Sequence, residues 1–128
     1  MSSMVTRLLT PTYATMLNTH LVRQSVIVKP NELKSALVRP SQIARYEPHR
    51  SERYLAASLA YGIVKNHPFM DGNKRTGFLL GHMYLRAQGF PGLVMRDEDV
   101  TRIVDLFVGV ADGSVDLEEL SEMLERHT

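Results

Sequence analysis

Apolar residues recur three and four positions apart through most of the chain, the spacing that lines one face of an α-helix, and capping residues and glycines interrupt the runs. Thr10-Pro11 pairs a capping hydroxyl with a proline at the first helical position, and Tyr13, Met16, Leu17, His20 and Leu21 follow at helical spacing. Lys29-Pro30-Asn31 breaks this helix, and Asn31 can cap a short one through Leu33, Ala36 and Leu37 that ends before Pro40. From Val38 to His49, two prolines and scattered polar residues predict an irregular segment with an extended stretch. Ser51 then caps a helix to about Asn66. Its apolar row is Leu55, Leu59 and Ile63, and Ala56, Ala57, Ala60 and Gly62 admit close neighbours.

Further on, Thr76, Leu79, Leu80, Met83 and Tyr84 recur at helical spacing, and Gly89 sits where a C-terminal cap would end the run. Phe90 to Met95 reads as a connector. Val100, Ile103, Val104, Phe107, Val108 and Ala111 form the cleanest amphipathic row, stopped by Asp112-Gly113. A last helix opens on Asp116 and Glu119, spaced as a capping box, with Leu117, Leu120 and Leu124 facing inward. The expected fold is all-α, one compact helical domain over residues 1–128 without repeats or linkers.

Composition narrows the function classes. A chain of 128 residues buries roughly two thirds of its unfolded surface and folds without staples. With 44% hydrophobic residues, 23% charged and a net charge of +1, it has no electrostatic footprint for nucleic acid, so no nucleic-acid partner is expected. The absence of cysteine excludes disulfides, thiolate zinc sites and cysteine nucleophiles. No apolar run reaches 18 residues and the first twenty lack a continuous hydrophobic region, so no membrane partner and a cytoplasmic location are expected.

The candidate chemistry is concentrated in His67-Pro-Phe-Met-Asp-Gly-Asn-Lys-Arg-Thr-Gly77. At Gly72-Asn73-Lys74-Arg75 a loop becomes a helix, so free backbone N–H groups and the positive end of the helix dipole point at whatever fills the loop. Gly72 lets a phosphate approach the backbone, Asn73 adds a side-chain donor, and Lys74 and Arg75 bring charge. The plainer reading is a capped helix start with two solvated cations. The His67 imidazole can take a proton from an attacking hydroxyl as general base. Asp71 can hold a divalent cation or cap the helix. Phe69 and Pro68 fix the loop, and Phe69 should be buried.

Every position of this stretch matches His-x-Phe-x-(Asp/Glu)-(Gly/Ala)-Asn-(Gly/Lys)-Arg, and the chain therefore resembles the Fic/Doc family. Lys74, where glycine is usual in the longer Fic proteins, is similar to the short Doc ("death on curing") branch. The resemblance implies a transferase that joins a nucleotide-derived phosphate group to a hydroxyl of a target protein. The motif histidine is the base, Mg²⁺ sits at Asp71, and ATP or another nucleoside triphosphate is the co-substrate. His67, Asn73 and Arg75 would be catalytic, and Phe69, Gly72, Asn73, Lys74 and Arg75 would contact the nucleotide. Two outcomes occur among such proteins: transfer of AMP, and transfer of the terminal phosphate, in Doc toxins to a translation factor. The longer signature continues to a second arginine, and Phe78 stands at that position here, which favours terminal phosphate transfer. AMP transfer is the alternative, and a degenerate Fic-like binding domain is the non-enzymatic one. The family further implies a separate antitoxin of the Phd type and a target-docking flap before the motif, expected at Val38 to His49.

Other features have ordinary readings. Asp112 to Glu119 copies half of an EF-hand loop, but Val108 and Val110 stand at its earlier ligand positions. His82 is expected on a polar face or in a hydrogen-bonded core role. Arg39, Arg45, His49, Arg50 and Arg53 form a loose basic stretch, read as solvated surface. Ser121 and Glu125 copy the spacing of a Fic inhibitory helix but are expected to be plain surface residues.

Overall fold

A computed structural model describes residues 3–93 and 100–127. Among them the order is α1 (Ser3–Leu8), α2 (Pro11–Leu21), α3 (Pro30–Tyr46), α4 (Glu52–Asn66), α5 (Asn73–Arg86), α6 (Val100–Asp112) and α7 (Leu117–His127). The all-α expectation holds, with one isolated antiparallel bridge, Ile27 to Phe69, among the described residues. Val94 and Met95 of the expected connector lie outside the described residues. No described helix is long and apolar enough to cross a membrane.

Helix α4 is the axis of the fold, packed against α3, α5, α6 and α7. Ser51 caps it, its hydroxyl accepting from Tyr54 N at 3.1 Å. Residues Tyr54 to Ala60 and Gly62 to Val64 are all buried, so the apolar row expected on one face is in fact a helix buried all round. Small residues make this possible. A Cβ on Gly77 would stand 3.0 Å from the Ala60 carbonyl oxygen, and one on Gly81 3.0 Å from that of Ala56. Helix α5 thus lies directly on α4 along two glycines one turn apart, and α4 carries the motif's first residue to its place against α5.

Several sequence expectations need correction. Helix α3 does not stop before Pro40; it runs to Tyr46 with Pro40 buried inside it. Leu33, Ala36, Leu37 and Pro40 share one face at three- and four-residue spacing and are buried. This face packs on α4, and its tertiary packing outweighs the backbone hydrogen bond that proline cannot donate. The expected extended flap at Val38 to His49 is therefore helical over most of its length. The extended chain lies earlier, in the link between α2 and α3. In α2 the expected cap forms, with Tyr13 N donating to Thr10 Oγ1 at 3.2 Å. The inward face is Ala14, Leu17 and Asn18, however, and Met16 is exposed.

The last helices match their signals more closely. Gly113 ends α6 with φ 87°, and Ile103, Phe107 and Val110 are buried, though Val104 and Val108 of the same row are exposed. The capping box forms as read: Glu119 N donates to Asp116 Oδ1 at 2.9 Å, and Asp116 N to Glu119 Oε1 at 3.4 Å. Helix α7 is tied to the start of α4. Tyr54 Oη donates to Glu118 Oε1 at 2.8 Å, and burial, with that carboxylate, pushes the Tyr54 hydroxyl up to about 12. Ser121 is buried, and Glu125 Oε1 accepts from Ser51 Oγ at 3.1 Å. These two residues are not plain surface but part of the α4–α7 seam. Nor is the basic stretch one solvated patch. Arg50 bridges Glu47 and Glu118 at 2.9 and 3.1 Å, Arg39 lies over the Tyr61 ring, and Arg53 reaches the Gly92 carbonyl at 3.4 Å.

Candidate active site at the α4–α5 turn

Helix α4 ends at His67, whose backbone is left-handed (φ 54°, ψ 53°) while its N–H still bonds the Ile63 carbonyl at 3.1 Å. It is the one non-glycine residue with positive φ among the described residues. Such a conformation costs about 1 kcal/mol or more and persists only where the surroundings hold it. The restraint comes from both sides of the following loop. Val28 N and Lys29 N donate to the Pro68 carbonyl at 2.8 and 3.0 Å, and Met70 N donates to Val26 O at 2.9 Å. Phe69, bridged to Ile27, is fully buried.

Asn73, the first residue of α5, closes the loop from inside. Its Oδ1 accepts from Phe69 N at 3.0 Å and its Nδ2 donates to Phe69 O at 2.9 Å, in a buried setting. The Asn73 amide is thus bonded to the backbone of the loop it shapes, and the Phe69 side chain is fully buried in the core. Asp71 is held by its backbone. Asn18 Nδ2 and Ser25 Oγ donate to its carbonyl at 2.8 and 2.9 Å, and its N–H donates back to Ser25 Oγ at 3.1 Å. Asn18 Nδ2 also lies 3.1 Å from Thr76 Oγ1. The Asp71 carboxylate does not cap the helix; Oδ1 accepts only from the adjacent Gly72 N, at 2.7 Å.

The N-cap of α5 is Gly72, at φ 74° and without a capping side chain. A Cβ there would come within 2.6 Å of Val22 Cγ2, so glycine is required by conformation and by space. The first N–H groups of α5 therefore have no side-chain cap and face the loop, as an anion site needs. A cavity of about 350 Å³ opens there, lined by His67, Asp71, Gly72, Asn73, Lys74 and Arg75 together with apolar neighbours from α2, α4 and α6. Asp71 is the only carboxylate among its described lining residues, and exposed Lys74 and Arg75 give it a positive rim. The structure thus gathers the sequence-selected residues at one opening, except that Phe69 and the Asn73 amide serve as its frame.

His82 stands apart from this opening. Its Nδ1 accepts from Leu93 N at 3.1 Å and its ring stacks on Phe78, which is the hydrogen-bonded role expected. Burial first, and Arg86 second, hold its pKa below the usual 6.5. The folded state therefore binds this proton less readily than the unfolded chain. The stability it contributes is complete above pH 6.5 and is lost as pH falls below that value toward the depressed folded pKa. Urea midpoints between pH 7.5 and 5 are expected to fall for the wild type and to fall less for His82→Gln.

Residues 4–85 match the Fic/DOC family, well over half of the chain. It belongs to the Fic/Doc family. This Fic/Doc chain is also similar to a protein described as Toxin Doc from Mycolicibacterium smegmatis (strain ATCC 700084 / mc(2)155), at 35% identity over 69 residues. That stretch covers 54% of this chain and 52% of the relative, so the chain spans about half the length of the curated protein it matches. What sequence reasoning missed in this Fic/Doc site is its support from α2 and the α2–α3 link. Asn18 was legible in principle, since it falls on the same helical face as Ala14, Leu17 and Leu21. Ser25 and Ile27 carried no signal, because their role depends on a bridge to residues more than forty positions away.

Proposed function

We propose that this protein is a Doc-like toxin that moves the terminal phosphate of a nucleoside triphosphate to a hydroxyl of a target protein. The observation that carries the reading is the cavity itself, in which an exposed histidine, one carboxylate, two cations and an uncapped helix start converge. In the proposed reaction His67 takes the proton of the target hydroxyl as its oxygen bonds to the terminal phosphorus. The bond from that phosphorus to the bridging oxygen breaks, and the nucleoside diphosphate leaves. Lys74, Arg75 and the first N–H groups of α5 stabilise charge on the transferred group. The rigid loop fixes where His67 meets it. Asp71 fits a divalent cation of the Mg²⁺ kind, since one exposed carboxylate leaves most of the coordination shell to phosphate oxygens and water. When bound, that ion supplies charge neutralisation across the phosphates.

Further support is the Lys74-Arg75 sequence with Phe78 beyond it, which resembles the short Doc branch, and the likeness to a protein described as Toxin Doc. The target segment is proposed to pair with the extended Val26–Val28 stretch, whose exposed Val26 and Val28 border the motif loop at Met70. A translation factor is the expected class of target. A toxin of this kind is proposed to be held by a separate Phd-like antitoxin whose disordered tail folds on binding.

Incubation with cell extract and ATP labelled at the alpha or the gamma phosphate tests the reaction. Gamma label on a protein band, absent with His67→Ala, is expected. Alpha label in its place means AMP transfer, and no His67-dependent label removes both.

A further inference from the structure

The peptide unit between Asp71 and Gly72 stands between two buried side chains and the Asp71 carboxylate. On one edge its carbonyl accepts two hydrogen bonds, from Asn18 Nδ2 at 2.8 Å and from Ser25 Oγ at 2.9 Å. On the other edge its N–H, that of Gly72, donates to Asp71 Oδ1 at 2.7 Å. No described peptide bond is cis, and in a planar trans unit the C=O and N–H point in opposite directions. Whatever fixes the carbonyl therefore fixes the N–H, and with it the carboxylate oxygen that the N–H holds. Ser25 Oγ also accepts from Asp71 N at 3.1 Å, so the main chain of Asp71 is gripped at both ends. Asn18 and Ser25 are 0% and 2% exposed, and neither lines the motif cavity.

As a core residue Asn18 is a poor choice. Its Nδ2 reaches both the Asp71 carbonyl and Thr76 Oγ1, but its Oδ1 has no partner among the described residues. A buried acceptor left empty is destabilising, and a leucine of similar shape would not carry one. Turning the amide over would set Oδ1 against the Asp71 carbonyl, acceptor against acceptor. The fold gains little from this asparagine; the Asp71–Gly72 peptide gains a donor.

We propose that Asn18 and Ser25 are positioning residues for the divalent cation. Through one peptide plane they keep Oδ1 on the Gly72 N–H, so that Oδ2, which takes no hydrogen bond among the described residues, meets the cation from a fixed direction. Two bonds on the carbonyl also polarise the peptide and strengthen its N–H as a donor. The inference rests on the proposed role of Asp71 and deepens it, naming residues of α2 and of the α2–α3 link that set its cation affinity.

Calorimetry with the β,γ-imido analogue of ATP, once in excess Mg²⁺ and once in EDTA, tests this, because the ratio of the two affinities reports the cation's contribution. Asp71→Asn is expected to abolish most of that ratio. Ser25→Ala and Asn18→Leu should each lower it toward the Asp71→Asn value, by about 10-fold, with affinity in EDTA unchanged because Lys74, Arg75 and the N–H groups of α5 stay in place. Asn18→Leu, free of the empty acceptor, should melt with the wild type. Adding Ser25→Ala to Asp71→Asn should lower the ratio no further, as coupling through the carboxylate requires. A wild-type ratio in both Ser25→Ala and Asn18→Leu, with Asp71→Asn impaired, overturns the inference and leaves the proposed function intact. Equal losses in Mg²⁺ and in EDTA overturn it too, since the two residues then only hold the loop together. If the wild type binds the analogue equally well without Mg²⁺, or not at all, the reading of Asp71 as the cation's ligand fails and the inference with it.

Discussion

His67→Ala is expected to slow phosphate transfer by about 10² to 10⁴-fold, the range for a positioned general base, with little change in nucleotide affinity. Removing a proton acceptor raises the barrier without touching the groups that hold phosphate, so the loss should appear in kcat and not in KM. The fold should tolerate the change, because the imidazole is exposed and makes no hydrogen bond among the described residues. The backbone offers a sharper control. Its φ of 54° suits glycine better than any other residue, so His67→Gly should be as inactive as His67→Ala yet more stable by roughly 1 kcal/mol. Single-turnover rates and thermal melts on the three proteins check this, and retention of more than a tenth of the wild-type rate in His67→Ala would falsify the assignment of the base.

Asn73→Ala should act through structure. It deletes both bonds to the Phe69 backbone and leaves a buried N–H and a buried carbonyl without partners. Each such group costs about 1–3 kcal/mol, so a loss of about 2–5 kcal/mol is expected. In a chain of this length that lowers Tm by roughly 10 °C or more. Transfer should collapse as well, but for a different reason than in His67→Ala: the loop no longer holds His67, Asp71 and Gly72 in register. Ligand affinity should therefore fall along with kcat. An Asn73→Ala protein that melts with the wild type but binds MgATP weakly would restore the amide to the role of phosphate donor.

The sequence was a good guide at most local signals, although Asn31, read as a cap, lies inside α3, whose N-cap is Lys29. Caps at Thr10 and Ser51, the Asp116–Glu119 box and the motif's loop-to-helix transition all depend on residues within one turn, and all formed as read. It misled where packing between distant segments decides. Pro40 carries a strong stop signal, but the face from Leu33 to Pro40 is buried on α4 and the helix continues. Asn73 illustrates the same limit in the site. A polar residue at a helix start beside a phosphate loop looks like a ligand contact, and only the position of Phe69 reveals where its amide points. Val104 is the converse, an apolar residue in a clean amphipathic row that the fold leaves half in solvent.

The anchoring of the motif loop from Asn18, Ser25 and the Val26–Val28 stretch has a consequence for the order of assembly. Bonds within the motif, from Asn73 to the Phe69 backbone, shape the loop from inside, but its outer side is held by residues some fifty positions earlier in the chain. A partly folded or nicked molecule would carry every motif side chain and none of its alignment. The N-terminal segment thus sets the alignment of a loop far from it in sequence, and damage there is expected to disturb the site without touching a motif residue.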